Sequence, residues 1–352
     1  MKGGRLRGQG TYGCVFQPAL LCKGIQADKQ KVGKITAPID AKNELEIAKY
    51  LSTIPAAVKY TIVAETQSCE PVERKKQVDP DVNACLFSSG EDLQNTVQLI
   101  MPFGGVPLDR INLNPRAFDF FRFAENLLEI GAFLILNDVC HMDIWGQNFL
   151  FNRETKPKLI DFGFAFRPSK LKQADLKSRW RVVATDHDTE TPEVTLMLGK
   201  FKHDSTSQLI FDMERKKPAV QRLAVLCDVL PSTWSAQLKQ WSEESKSFQQ
   251  NNWLSCWKLY WPGFDAWGIG AVLLSVLEIQ MTSPEFVKSA AWTTRGNTMK
   301  SVLRGICHGN PVYRMDAVEA LSVLTNGSHP LVANDGSGAS WLAAKKAQRP
   351  HF

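Results

Sequence analysis

Short apolar runs bounded by turns predict strands in the first hundred residues, although residues 55–96 are mixed and polar. Between residues 43 and 54 the apolar positions instead fall three and four residues apart, which predicts one helix. This part of the chain is therefore expected to be rich in strands. The runs that predict strands are 5–8, 14–16, 31–35 and 96–101.

From residue 117 onward the pattern becomes mainly helical. Phe and Leu recur at helical spacing over 117–139, and the chain after residue 190 keeps a helical pattern. A loop and two short strands are predicted between 141 and 160. We therefore expect an α+β protein with two lobes, one β-rich with a single main helix and one large and mainly helical. The predicted domains are 1–102, 103–328 and a loosely held tail, 329–352.

The composition is that of a globular protein. Of the 352 residues, 44% are hydrophobic and 22% charged, which excludes a disordered chain and a collagen. The net charge of +6 permits acidic partners without requiring them. We see no apolar run of the ~20 residues that cross a bilayer and no apolar leader, so we expect no membrane partner and an intracellular, cytoplasmic protein. The eight cysteines lack a Cys-x-x-Cys pair, which favours reduced thiols and no structural zinc.

The first candidate for chemistry is the glycine-rich stretch GQGTYGCV at 8–15. Alone it fits a plain hairpin turn, but glycines also let backbone N–H groups approach phosphate oxygens without a Cβ clash. Lys34 follows in an apolar strand, and Glu44 opens the next helix, where Glu46 fits the apolar spacing less well. Taken alone, Lys34 and Glu44 are each typical of a solvent-exposed surface residue. Together Lys34 and Glu44 fit an ion pair that holds the lysine against the phosphates of a nucleotide.

Two later motifs supply carboxylates and an amide. Asp143 and Asn148 lie in HMDIWGQN, and Asp161 opens an Asp-Phe-Gly segment eighteen residues after Asp143. Both motifs flank a predicted strand–turn–strand. A carboxylate that accepts a hydroxyl proton, together with oxygen ligands for Mg²⁺, is what the chemistry of Mg·ATP needs.

In this order the motifs resemble those of eukaryotic-type protein kinases, over most of residues 3–325. The segment ending in Glu193, TPE, is similar to the family's A-P-E, and DAWGIG at 265–270 is similar to its D-x-W-x-x-G. Arg314 is similar to the arginine that pairs with the A-P-E glutamate, so we expect a buried Glu193–Arg314 salt bridge. GTYGCVF and MPFGG also resemble serine/threonine kinases of large nucleocytoplasmic DNA viruses, which implies a host cell or virion.

The resemblance implies a bilobal kinase fold that transfers the γ-phosphoryl group of ATP, with Mg²⁺ or Mn²⁺, to a Ser or Thr hydroxyl of a protein substrate. It implies that Asp143 orients the acceptor, that Lys34 and Glu44 set the phosphates, and that Asn148 and Asp161 bind the metal. The residues implied to bind the nucleotide are Gly8, Gln9, Gly10, Thr11, Tyr12, Gly13, Val15, Val32, Lys34, Met101 and Phe103.

Two residues near Asp143 depart from the family pattern. Met142 replaces an arginine that normally grips a phosphorylated activation loop, so we expect activity without such phosphorylation. Trp145 stands where serine/threonine kinases usually have a lysine, which makes this loop similar to that of small-molecule kinases. The activation-segment hydroxyls expected to be dispensable are Ser169, Ser178, Thr185 and Thr189.

Two longer-range features also depart. Pro102 lacks an N–H, so adenine is expected to bond to the backbone of Phe103 or Gly104, with the register left open. About sixty extra residues lie at about 200–260, and five of the ten tryptophans fall between residues 234 and 261. They fit helices packed on the large lobe, or a surface that docks a partner.

Three alternatives to a protein kinase stay open at this point. A pseudokinase would bind nucleotide without turnover, and a small-molecule kinase would share the loop around Asp143. A scaffold would act through the tryptophan-rich insertion at 200–260. Nucleic acid is not expected as a partner, because the basic segment Arg167–Arg181 is accompanied by no nucleic-acid-binding motif.

Overall fold

The protein has a mixed α+β fold, seen in a computed structural model with 55% helix and 12% strand. An antiparallel sheet and a separate helical region agree with the predicted α+β class. Thr11 and Tyr12 of the glycine-rich stretch lie outside the described residues. The structure describes residues 4–10, 13–24, 28, 30–77, 84–85, 93–152 and 156–348.

The chain divides into two compact units that are not continuous in sequence. Unit 1 comprises Met1–Val106 and Phe149–Ala165, and unit 2 comprises Pro107–Asn148 and Phe166–Phe352. Residues 149–165, which the sequence analysis placed with the helical part, therefore group with unit 1. One cause is that Ile62 donates its N–H to the carbonyl of Leu159, at 2.9 Å.

Unit 1 is built on a five-stranded sheet in the order β1-β2-β3-β5-β4, and all of its strand pairs are antiparallel. The main helix starts earlier than the apolar spacing predicts, because Pro38 occupies its first turn, where a proline needs no N–H partner. The elements are β1 (Arg5–Gly10), β2 (Gly13–Gln17), β3 (Lys31–Thr36), α1 (Pro38–Ser52), α2 (Ala57–Tyr60), β4 (Ser68–Cys69), β5 (Val97–Pro102), β6 (Val106–Pro107), β7 (Phe149–Phe151) and β8 (Pro157–Leu159).

Four cysteines of unit 1 form two disulfides, so the expectation of eight reduced thiols is wrong for half of them. Cys14 bonds to Cys85 and Cys22 bonds to Cys69, with 6.0 Å between the Cα atoms of each pair. The partners are 71 and 47 residues apart, so no local spacing reveals them. The cysteines of unit 2 are buried and free: Cys140, Cys227, Cys256 and Cys307.

Unit 2 is helical, as the pattern after residue 117 predicts. Helix α3 starts three residues later than predicted, because the Asp119 side chain accepts the Arg122 N–H and begins the helix there. The helices are α3 (Phe120–Leu136), α4 (Pro192–Phe201), α5 (Thr206–Lys216), α6 (Pro218–Cys227), α7 (Pro231–Glu244), α8 (Lys246–Gln249), α9 (Trp253–Tyr260), α10 (Pro262–Met281), α11 (Pro284–Val287), α12 (Ala290–Ile306), α13 (Ala317–Leu324) and α14 (Ala339–Gln348).

Helix α10 is the central helix of unit 2. A Cβ added to Gly131 of α3 would lie 2.6 Å from Ile269 of α10 and 2.7 Å from Ala317 of α13, so these three helices pack closely. Within the described residues α10 alone is long and apolar enough to cross a membrane, but 78% of that stretch is buried. Core helices of folded proteins meet the same criterion.

Helices α5 to α9 span the predicted insertion, and the four tryptophans on these helices are buried in unit 2. Trp234, Trp241 and Trp257 are each 1% exposed, and Trp253 is also buried. The Trp234 indole N–H donates to the carbonyl of Cys307, at 3.2 Å. Burial of these side chains favours helices packed on unit 2 over a docking surface made of exposed tryptophans.

Part of the tail predicted to be loose is tied to unit 2. Trp341 of α14 donates its indole N–H to Asp316 Oδ2 at 2.8 Å, and Lys345 Nζ lies 3.2 Å from the same oxygen. Asp316 is buried and also caps α13. The polar sequence of the tail gave no sign of these contacts, because they depend on a residue more than twenty positions away.

Candidate functional site

The glycine-rich stretch forms the β1–β2 hairpin, with Gly10 opposite Gly13. Gly13 has φ +154°, and an added Cβ would lie 2.0 Å from the carbonyl oxygen of Ile35, so the fold itself requires glycine there. At Gly8 and Gly10 an added Cβ meets no heavy atom within 4 Å. Packing in unit 1 therefore does not explain those two glycines, and Gln9 between them is exposed.

An apolar cluster in unit 1 gathers the predicted nucleotide-binding side chains of three strands. Val32 and Met101 are buried members of this cluster, and Val15 and Leu150 pack against it. Phe103 lies beyond the end of β5 with its side chain half exposed, and its N–H donates to the carbonyl of Gln30 at 3.2 Å. The Phe103 N–H is thus already bonded within the protein.

Lys34 is the buried centre of an ion-pair group in unit 1. Its Nζ lies 2.9 Å from Glu44 Oε2 and 2.6 Å from Asp161 Oδ1. Burial alone would lower the pKa of Lys34, but the two carboxylates outweigh it and raise that pKa above its ordinary value. The predicted Lys34–Glu44 ion pair is confirmed, and Glu46 is exposed.

The Asp-Phe-Gly segment is held against α1. Asp161 adopts a left-handed conformation with φ +64°, and Asn43 of α1 donates its side-chain amide to the carbonyls of Gly163 at 2.7 Å and Ala165 at 2.9 Å. Asn43 lies next to Glu44, so one turn of helix positions both the lysine and the aspartate segment. Sequence reasoning missed Asn43, because its acceptors lie about 120 residues further along the chain.

In unit 2 Asp143 and Asn148 form a second group. Asn148 is 5% exposed and donates its side-chain amide to the Asp143 carbonyl at 2.8 Å and to Asp143 Oδ2 at 3.1 Å. These bonds fix the carboxylate of Asp143 and use only the nitrogen of the Asn148 amide. The amide oxygen is therefore the atom that Asn148 can offer to a cation.

The loop that carries Asp143 is anchored to α10. Asp265 accepts the N–H groups of His141 at 2.6 Å and of Met142 at 2.9 Å, and Met142 takes a left-handed conformation with φ +66°. Burial raises the pKa of Asp265 above its ordinary range, although the loop N–H groups favour the carboxylate. The DAWGIG motif of α10 therefore anchors this loop through its first residue, Asp265.

The predicted ion pair between Glu193 and Arg314 is confirmed. Arg314 Nη1 lies 2.6 Å from Glu193 Oε1, and both side chains are fully buried. The pair joins the start of α4 to the segment before α13, two elements separated by more than a hundred residues.

A residue that the motifs do not include explains why glycine stands before Lys34. A Cβ on Gly33 would lie 2.0 Å from Gln98 Oε1. Gln98 is fully buried, and its amide accepts from Leu20 N–H at 2.8 Å and donates to the Leu20 carbonyl at 3.0 Å. A polar residue in the apolar run 96–101 was the available signal.

Two of the predicted site residues, one in each unit, carry donor atoms of the kind taken by a cation that prefers oxygen ligands. Asp161 and Asn148 offer carboxylate and amide oxygens, the ligand types that Mg²⁺ takes in small numbers alongside phosphate oxygens. Across the described part of the chain, no three or more His, Cys, Asp or Glu side chains form a cluster that could hold a metal alone. A metal at either residue would therefore need further oxygen ligands, which phosphate can supply.

Comparison with known proteins returns no match, either to family models or among curated proteins. The function assigned to these residues rests on their geometry and on the sequence motifs.

Proposed function

We propose that the protein transfers the γ-phosphoryl group of Mg·ATP to a serine or threonine hydroxyl of a protein substrate. On this proposal residues 1–102 and 103–328 are the two lobes of a protein-kinase fold, and the insertion at about 200–260 belongs to the larger lobe. The observation that carries the proposal is the group formed by Lys34, Glu44 and Asp161.

A strand lysine without a special role is usually a solvated edge residue. Lys34 instead is buried between carboxylates from α1 and from the Asp-Phe-Gly segment, the latter 127 residues away. One ammonium against two carboxylates leaves a negative charge, and the Asp161 side chain stays 39% exposed. This arrangement suits a divalent cation with its phosphates at Asp161 and a charged lysine beside them.

Asp161 and the amide oxygen of Asn148 are the proposed metal ligands. When bound, Mg²⁺ or Mn²⁺ would neutralise charge on the phosphate oxygens. Lys34, oriented by Glu44, donates to the phosphates of the nucleotide. The backbone at Gly8, Gly10 and Gly13 is proposed to cover them, which would account for glycine at Gly8 and Gly10.

Asp143 is the proposed catalytic carboxylate. As the acceptor oxygen bonds to the γ-phosphorus, the bond from that phosphorus to the β–γ bridging oxygen breaks and ADP leaves. Asp143 orients the acceptor hydroxyl and takes its proton. Asn148 holds the carboxylate in place through its amide N–H. Preorganised positioning and electrostatics would supply most of the rate.

The adenine ring is proposed to lie against the apolar cluster that contains Val15, Val32 and Met101. Pro102 has no N–H, and the N–H of Phe103 is bonded to Gln30. We therefore assign the backbone bond to adenine to Gly104, with Phe103 as an apolar neighbour of the ring.

The proposal is tested by binding and consumption of Mg·ATP with a generic protein acceptor. We expect the wild-type chain to bind and consume ATP, and Lys34→Met and Asp161→Ala to lose consumption by about 10²-fold or more. Asp109→Asn, which changes an exposed aspartate, is the control and should match the wild type.

The other outcomes contradict the proposal in different ways. Binding without consumption identifies a pseudokinase. Consumption that only a small hydroxyl compound stimulates identifies a small-molecule kinase, an alternative favoured by Trp145, which is 39% exposed where a lysine was expected.

A further inference from the structure

The segment 186–190, just before α4, is bonded to the insertion on several sides. Asp188 accepts bonds through three oxygens: Oδ1 from the Ala219 N–H at 2.6 Å, Oδ2 from Arg222 Nη1 at 2.7 Å, and its carbonyl from the Trp267 indole at 3.0 Å. Ala219 lies in the first turn of α6, so the carboxylate also sits at the positive end of that helix.

Lys217 of the insertion also forms hydrogen bonds to this segment. It lies between α5 and α6, its side chain is fully buried, and its Nζ donates to the carbonyls of His187 and of Glu190, the latter at 3.1 Å. A buried lysine whose hydrogen bonds go to main-chain oxygens fixes the path of the backbone on both sides of Asp188. Arg222 links the segment to α10 as well, because its Nε also bonds to Glu278 at 2.8 Å.

One helix connects this segment to Asp143. Trp267, which binds the Asp188 carbonyl, lies two residues after Asp265, which holds the backbone of His141 and Met142. Helix α10 therefore sets the position of 186–190 and of the loop that carries Asp143. The insertion also bonds to this segment, through Lys217, Ala219 and Arg222.

We propose that Lys217 and Arg222 are positioning residues that hold residues 186–190 in register with Asp143 for binding of the protein acceptor, without phosphorylation of the chain. The proposal rests on the proposed function, which places the acceptor hydroxyl at Asp143, and on α10, which bonds both to the loop of Asp143 and to this segment. Met142 fits it, because a loop that is fixed by lysine and arginine from the insertion needs no arginine–phosphate contact beside Asp143.

The test combines hydrogen exchange with kinetics on the full chain. Lys217→Met keeps the length of the side chain and removes the ammonium. Its matched control is Lys200→Met, because Lys200 also donates to two main-chain carbonyls, those of Phe248 and Gln249, away from the segment. We expect the amides of 186–190 to exchange at least about tenfold faster in Lys217→Met and at the wild-type rate in Lys200→Met.

In the kinetic arm, Lys217→Met should raise the KM for the protein acceptor by about 10- to 100-fold, with the KM for ATP unchanged. Phosphatase treatment of the wild-type chain should leave both constants unchanged. If Lys217→Met does not fold, Arg222→Met is judged in the same way, with Arg116→Met as its control, because Arg116 pairs with Glu285 on the surface.

The clamp is the set of bonds from Lys217 and Arg222 to residues 186–190. If the amides of 186–190 exchange in Lys217→Met at the wild-type rate, the clamp is contradicted. Faster exchange with an unchanged acceptor KM overturns its role in acceptor binding, and a KM that rises after phosphatase treatment overturns independence from phosphorylation. If the wild-type chain transfers no phosphate at all, the proposed function and the acceptor role fail together, while the exchange result still decides whether the clamp holds the segment.

Discussion

Lys34 and Lys217 are both buried, but their surroundings shift their pKa values in opposite directions. Lys34 contacts two carboxylate oxygens directly, and these raise its pKa above the ordinary value. Lys217 bonds to carbonyl oxygens, and burial lowers its pKa to about 8 although Glu190, Asp188, Asp186 and Glu193 oppose the change. A charged Lys217 therefore lowers the stability of the fold relative to a neutral one, which fits a residue that serves positioning.

The pH dependence of stability tests this difference. Between about pH 8 and the ordinary lysine value of 10.5, the unfolded chain keeps a proton on Lys217 that the folded chain has lost. The free energy of unfolding of the wild type should therefore rise relative to Lys217→Met across this window, by up to about 1.4 kcal/mol per pH unit. Denaturant titrations at several pH values measure it, and parallel curves would contradict it.

The buried Glu193–Arg314 pair makes a second residue-scale prediction. Glu193→Gln leaves Arg314 buried without its full counter-charge, so the free energy of unfolding should fall by about 3–5 kcal/mol. Glu243→Gln is the matched control, because Glu243 forms an exposed pair with Lys239 and should change stability by less than about 1 kcal/mol. Urea unfolding measures both variants. An equal fall in the free energy of unfolding would contradict a special contribution of the buried pair.

At the scale of elements, β2 is fixed covalently as well as by the sheet. The Cys14–Cys85 bridge starts one residue after Gly13, and the Cys22–Cys69 bridge joins β4 to the segment after β2. Closing loops of 47 and 71 residues should stabilise unit 1 by about 4 kcal/mol per bridge in the chain-entropy account.

A thiol count under denaturing, non-reducing conditions tests the bridges. We expect four reactive thiols, from the free cysteines of unit 2, and eight after reduction. Changing Cys14 and Cys85 together to Ser should leave the first count at four, because it removes one bridge and no free thiol. A count of eight without reductant would contradict both disulfides.

Local signals predicted most elements, because helical spacing and glycine turns act over a few residues. They placed β1 to β3 and the body of α1, with errors of several residues at the ends, and predicted that the chain after residue 190 is helical without placing its separate helices. What they missed depends on distant partners. Gln98 bonds to Leu20, 78 residues away, and Lys217 to Glu190, 27 residues away. The motifs singled out Asp143, Asn148, Asp161 and Asp265, whereas Asn43, which holds the segment after Asp161, had no local signature.

For the whole molecule, the proposed chemistry divides between the two units. Unit 1 contains Lys34, Glu44 and Asp161, which suit the nucleotide phosphates and the metal. Unit 2 contains Asp143 with Asn148, and α10 supports both this loop and the segment 186–190. Substitutions at the three unit 1 residues should therefore affect the binding and use of ATP. Substitutions that release 186–190 should affect the KM for the protein acceptor.

The most direct test of the central claim is transfer of label from γ-labelled Mg·ATP to protein, followed by identification of the labelled amino acid. The account predicts phosphoserine or phosphothreonine with the wild-type chain, no label above background with Asp143→Asn, and wild-type labelling with Asp109→Asn. Nucleotide binding should persist in all three proteins. Bound nucleotide without labelled protein in the wild type, or equal labelling by Asp143→Asn, would contradict the account.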